Sequence, residues 1–141
     1  MADIKELSGG CLCGAVRFTA FDVVRDYHAC HCEMCRRWGG SAFMGVDVGR
    51  VEFAGDEALV RHHSSEWAAR GFCSQCGSSL FYSFKPANRY SVCAGAFDDQ
   101  SGLRLSNEIF IDMKPAGYGF AGNLPCMTEA ETIAKFTADP Q

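Results

Sequence analysis

Cys30-His31-Cys32-Glu33-Met34-Cys35-Arg36-Arg37 packs three thiols and an imidazole into six residues and follows them with two guanidiniums. Cysteines this close are not ordinary buried small hydrophobes. One tight turn can aim several thiolates at a single point about 2.3 Å away, the zinc–sulfur distance. In an extended segment Cys30 and Cys32 point to one side and His31 to the other. The spacing therefore predicts three sulfur ligands, Cys30, Cys32 and Cys35, with a fourth position left open. His31 reads as a hydrogen-bonding support for the ligands. Three thiolates quench the cation, so such a zinc acidifies water poorly and suits a further, substrate-borne sulfur. Arg36 and Arg37 are placed to hold the carboxylates of a small thiol through paired hydrogen bonds; they also fit a solvated turn.

Outward from this stretch, Cys11-Leu12-Cys13-Gly14 and Cys73-Ser74-Gln75-Cys76-Gly77 repeat one design: two cysteines, a glycine, then a strand. Cys11, Cys13, Cys73 and Cys76 together would complete a zinc tetrahedron and leave no place for substrate, which makes that site structural. It would close a long loop, a costly step, and zinc-coupled folding energies on the order of 10 kcal/mol offset it. Cys93 reads as a buried small hydrophobe in a strand. Cys126, in the C-terminal loop, fits either an exposed thiol or a neighbour of the three-cysteine cluster. His62 and His63 face opposite sides of a strand and do not share an ion. Trp38 and Phe43 fit pocket walls and core positions alike.

Nine cysteines in 141 residues is an odd count, and seven of them fall in these clusters, which points to metal rather than disulfides. Eleven phenylalanines among the 48% apolar residues, together with fifteen glycines, indicate a mainly β single domain with many turns. The net charge of −4 argues against nucleic acid as a partner. No apolar run is long enough for a signal peptide or a membrane span, so a cytoplasmic protein is expected. Strands are expected over 15–21, 22–27, 48–53, 58–63, 80–84, 90–94 and 108–112, with β structure resuming from Trp38. The polar leader before Gly9 is assigned no strand. Residues 64–70 read as a helical turn, 114–125 as an irregular loop, Thr128 as the N-cap of a helix reaching Phe136, and 137–141 as a fraying end.

These motifs resemble one known family, the glutathione-dependent formaldehyde-activating (GFA) proteins, also called the centromere-protein-V/GFA domain. The matching pieces are Gly10-Cys11-Leu12-Cys13-Gly14-Ala15-Val16, the cluster Cys30 to Arg37, Phe72-Cys73-Ser74-Gln75-Cys76-Gly77-Ser78-Ser79-Leu80, Ala94-Gly95-Ala96-Phe97-Asp98-Asp99 and Ile109-Phe110-Ile111-Asp112-Met113-Lys114-Pro115. They run in the family's order over about residues 9–125 of a single 1–141 domain. The resemblance implies a zinc-stapled β-tent with two zincs per chain, structural on Cys11, Cys13, Cys73 and Cys76 and catalytic on Cys30, Cys32 and Cys35. It also implies a carbon–sulfur lyase that joins glutathione and formaldehyde reversibly as S-hydroxymethylglutathione. Two positions depart from the family's pattern: Glu108 stands where His is frequent, and Gly117, followed by Tyr118, replaces an aromatic after Lys114-Pro115. The other function classes to weigh are a thiol redox enzyme resembling methionine sulfoxide reductase and a zinc-held binding module without turnover.

Overall fold

The computed structural model describes residues 3–138. Nine strands join in one open sheet: β1 (Ile4–Gly10), β2 (Arg17–Val23), β3 (Asp26–Cys30), β4 (Phe43–Ala54), β5 (Leu59–His62), β6 (Ala68–Cys73), β7 (Ser79–Phe84), β8 (Arg89–Cys93) and β9 (Arg104–Ile109). The spatial order is β1-β2-β4-β8-β7-β6-β5, with β3 beside β4 and β9. Every pairing is antiparallel except β3 with β9.

The twelve-residue β4 is the ridge of this tent. Its second half pairs with β2, from Val48 opposite Val23 to Ala54 opposite Arg17, while its first half pairs with β3, from Phe43 opposite Cys30 to Gly45 opposite His28. Both neighbours share one edge of β4, and β8 takes the other edge along Gly45–Val48. The core holds two apolar clusters. The larger contains Val16, Phe18, Val46, Leu80, Phe81, Val92 and Phe97, and the smaller joins Cys30, Cys35, Phe43 and Ile109. Cysteine thus enters the core twice, in both places where chain segments meet.

Two short segments set the frame of the site. The helix α1 (Glu33–Gly39) starts at Cys32, whose sulfur accepts from the Cys35 N–H, and stops at Gly40 in the left-handed region. The helix α2 (Glu129–Ala138) opens with a capping box: Thr128 Oγ1 accepts from Glu131 N–H, and Glu131 Oε1 accepts from Thr128 N–H. Asp112 Oδ1 takes a third donor, Glu129 N–H at 2.9 Å, and so ties α2 to the turn after β9. Thr128→Ala is expected to cost about 1 kcal/mol, read as faster amide exchange over residues 129–132.

Several local expectations change. The polar stretch before Gly9 is β1, an edge strand whose exposed side chains hide its role. Residues 22–27 are not one strand, because Asp22 takes a positive φ of 56° as β2 closes and β3 starts at Asp26. Trp38 belongs to α1, and β structure resumes only at Phe43. The helical turn expected over 64–70 is absent; β6 begins at Ala68, paired with Phe84 of β7. The last strand is shifted to Arg104–Ile109 by its parallel pairing with β3. Of the fraying end, residues 139–141 lie outside the described residues.

Candidate metal centres and active site

The two knuckles meet across the sheet. Cys11 and Cys13 leave β1, Cys73 ends β6, and Cys76 precedes β7. Gly14 and Gly77 each take a positive φ, 82° and 78°, which lets both turns reverse directly after the cysteine pair. The four sulfurs lie within 4.8 Å of one another, with Cys11 Sγ 3.7 Å and Cys73 Sγ 3.8 Å from Cys13 Sγ. A tetrahedron with 2.3 Å metal–sulfur bonds has an edge of about 3.8 Å, so the spacing fits a four-sulfur ion. Backbone N–H groups of Val16 and Gln75 donate to Cys11 and Cys73 at 3.3 and 3.4 Å. The Ser78 hydroxyl beside Cys76 brings that thiol down to about 5. Such donors favour thiolate, the form a metal requires.

Cys30, at the end of β3, and Cys32 and Cys35, across the start of α1, form the second group, again within 4.8 Å. The neighbouring S–H groups of Cys30 and Cys35 push the Cys32 thiol down to about 2, while those same contacts and burial push Cys30 up. Cys32 is also the least buried of the three, and its sulfur accepts from the Cys35 N–H at 3.4 Å. Three soft sulfurs and no fourth cysteine, among the described residues, fit an ion with one open position.

His31 is fully buried and directed elsewhere. Its Nε2–H donates to Glu108 Oε1 at 2.7 Å, and Nδ1 accepts from the Tyr118 hydroxyl at 2.8 Å. Both ring nitrogens are thus engaged, and neither is left for an ion. Glu108, which stands where the family's pattern has His, and Tyr118, the neighbour of Gly117, converge on one imidazole. Arg36 Nε donates to the His31 carbonyl at 3.1 Å. Arg37 is exposed and pairs with Glu33 one turn away. Neither arginine lines the cavity described below.

The cation that does reach the sulfurs is Arg70, on β6. It is only 4% exposed, its Nη1 lies 3.8 Å from Cys35 Sγ, and its guanidinium sits 5.2 Å from the Trp38 ring and 5.1 Å from the Tyr82 ring. Cation–π contacts of this kind hold a desolvated guanidinium without neutralising it. No carboxylate pairs with it among the described residues. Sequence inspection misses Arg70 because residues 64–70 read as a helical turn, and Ala68, Ala69 and Arg70 are all buried, so no apolar–polar alternation marks the strand.

Cys30, Cys32 and Cys35 open onto a cavity of about 620 Å³ walled by Trp67, Phe84, Phe110, Met113, Ile133 and Phe136. Phe110 enters it from a left-handed turn, φ 55°, directly after β9. The helix α2 roofs it through Thr132, Ile133, Phe136 and Thr137. Cys93 lies near the cluster, but burial pushes its thiol up to about 12. Cys126 lies instead near Glu108, 4.0 Å from Oε2, and desolvation with that carboxylate raises it. Neither offers the depressed thiol of a redox enzyme.

A β-sheet protein with a closed four-sulfur site and a three-sulfur site in the wall of a cavity is thereby defined. Residues 6–113 match the model of the family described as glutathione-dependent formaldehyde-activating enzyme, and the chain belongs to that family. It is 31% identical over 132 residues to an uncharacterized lyase of Schizosaccharomyces pombe, covering 92% of this chain and 96% of the relative. Over 90 residues it is 32% identical to a Halomonas elongata protein provisionally named glutathione-dependent formaldehyde-activating enzyme, covering 53% and 54% of the two chains. A crystal structure of a Rhodobacter sphaeroides protein shares the fold, with a TM-score of 0.57 at 20% identity over 85% of this chain and 99% of that one. Among the described residues no helix is long and apolar enough to cross a membrane.

Proposed function

We propose that the chain is a carbon–sulfur lyase that interconverts a thiol–aldehyde adduct with its free thiol and aldehyde, S-hydroxymethylglutathione being the reference case. The observation that carries this reading is the three-sulfur group, with Arg70 against it, in the wall of a mostly apolar cavity. The relatives' names, a lyase and a formaldehyde-activating enzyme, support the same class.

Zinc held by Cys30, Cys32 and Cys35 would supply a soft Lewis acid with affinity for a substrate sulfur. The chain's own groups do the rest. In R–S–CH₂–OH the carbon–sulfur bond breaks with its electron pair going to sulfur, the carbon–oxygen bond becomes a carbonyl, and the hydroxyl proton leaves to water at the cavity mouth. Arg70, fixed between Trp38 and Tyr82, faces the sulfur on which charge collects. Tyr82, raised to about 12 by burial, stays protonated and lines the same space as a hydrogen-bond donor. Glu108 and Tyr118 act through His31: they hold the residue between Cys30 and Cys32 and so position both sulfurs. Arg36, bonded to the His31 carbonyl, belongs to this support rather than to substrate.

The test combines native mass spectrometry with formaldehyde release from S-hydroxymethylglutathione. The wild type should carry two metals. Cys32→Ser should keep its fold and one metal and lose cleavage by about a hundredfold or more, comparable to removing a group that stabilises developing charge. Full cleavage by Cys32→Ser would remove the three-sulfur group from the chemistry, no cleavage of any thiol–aldehyde adduct by the two-metal wild type would overturn the lyase reading, and global unfolding of the variant would favour a purely structural module.

A further inference from the structure

Glutathione and the cavity are poorly matched in polarity. At neutral pH the tripeptide carries two carboxylates and an ammonium, each of which loses hydration against a mostly apolar wall unless paired. The lining offers one permanent cation, Arg70, which already faces the sulfurs, together with two acids, Glu33 and Glu129. Arg89 stacks on the rings of Phe84 and Phe136 but is not part of the lining. The remaining polar groups of the lining, His28, Tyr82, Ser91, Thr132 and Thr137, supply no second permanent cation for the second carboxylate.

The exposed apolar surface points the same way. Among the described residues six large hydrophobic side chains are exposed, and four of them, Met34 (43%), Trp67 (54%), Ile133 (49%) and Phe136 (36%), line this one cavity. Apolar groups that fold into the open around a pocket mark the place where an apolar ligand completes the packing. A volume of about 620 Å³ is suited to a small organic molecule, whereas formaldehyde fills a small fraction of it, so the remaining space is for the thiol's substituent.

We infer that the physiological thiol is a small molecule with an apolar, aromatic or branched substituent rather than glutathione. That substituent lies against Trp67, before β6, and Ile133 and Phe136 of α2, which all line the cavity. Its sulfur reaches the Cys30, Cys32 and Cys35 group beside Arg70. The inference rests on the thiol–aldehyde reading for the identity of the reacting group, and on the cavity wall for the rest.

The experiment uses phenylmethanethiol and glutathione as paired probes on the metal-loaded full chain. Binding of each is read by calorimetry, and formaldehyde release from each S-hydroxymethyl adduct is read separately. Phenylmethanethiol should bind at least about tenfold more tightly, and its adduct should show the higher kcat/KM. Phe136→Asp in α2 and Trp67→Ala in the segment before β6 should each reduce that preference about tenfold, so that a folding defect in one leaves the other to report. Equal or tighter binding of glutathione, or failure of phenylmethanethiol to bind, would overturn the inference. Tight binding of phenylmethanethiol without cleavage of its adduct would leave the inference standing and remove the lyase reading instead.

Discussion

Cys73→Ser is expected to abolish the folded state, while Cys32→Ser remains folded. Cys73 is fully buried at the end of β6, and its sulfur lies 3.8 Å from that of Cys13, on the far side of the sheet in chain order. The group it completes joins the start of the chain to its middle. Structural zinc contributes on the order of 10 kcal/mol to folding, against a total stability of about 5–15 kcal/mol for an ordinary domain. Loss of that one sulfur therefore removes an energy comparable with the whole. Far-ultraviolet circular dichroism and metal content, read on the two variants side by side, check it. A strong chelator should reproduce the Cys73→Ser spectrum with wild-type protein. A cooperatively folded Cys73→Ser chain of full stability would show that the sheet does not need the clasp.

Arg70→Met should lower kcat by about 10² to 10³, the cost of removing one positioned donor to a developing charge. The substitution keeps an apolar, flexible chain in the slot between Trp38 and Tyr82, where sulfur–aromatic contacts replace the cation–π pair, so the fold should survive. Arg70→Lys separates charge from shape. A lysine restores the positive charge but has no planar group to fill the slot between the two rings, and recovery should be partial. The informative readout is the split between constants: a role at the reacting sulfur lowers kcat with KM little changed, whereas simple loosening of the pocket raises KM. Undiminished kcat in Arg70→Met would remove Arg70 from the chemistry.

The contrast between Cys73 and Arg70 also explains what was legible in the sequence. Metal ligands announce themselves because a tetrahedron of fixed size demands close cysteines and tight turns, both local properties. Cys11, Cys13, Cys73 and Cys76, and separately Cys30, Cys32 and Cys35, could therefore be grouped before any strand was placed, and the structure brings each group together. Arg70 is buried only because rings from α1 and β7 meet over β6, and no local pattern states that pairing. Arg36 and Arg37 drew attention by adjacency, yet the helix that begins at Cys32 turns Arg37 to solvent and Arg36 onto a carbonyl. The edge strand β1 went unread because it buries little. The N-cap at Thr128 was readable, since Thr128 and Glu131 carry their capping box within four residues.

The helix α2 lies beyond residues 6–113, the span that matches the family model, and yet it forms the roof of the cavity. The groups assigned to bond breaking, Cys30, Cys32, Cys35, Arg70 and Tyr82, all lie within that span. Ile133, Phe136 and Thr137 lie outside it. On the proposed reading, bond breaking belongs to the matched span, while selectivity is shared between Trp67 within it and α2, which is joined to it at Asp112. Exchange of the last ten residues of the described chain offers a way to retarget the enzyme without disturbing a single sulfur: the tail behaves as an interchangeable cartridge on a constant reactor.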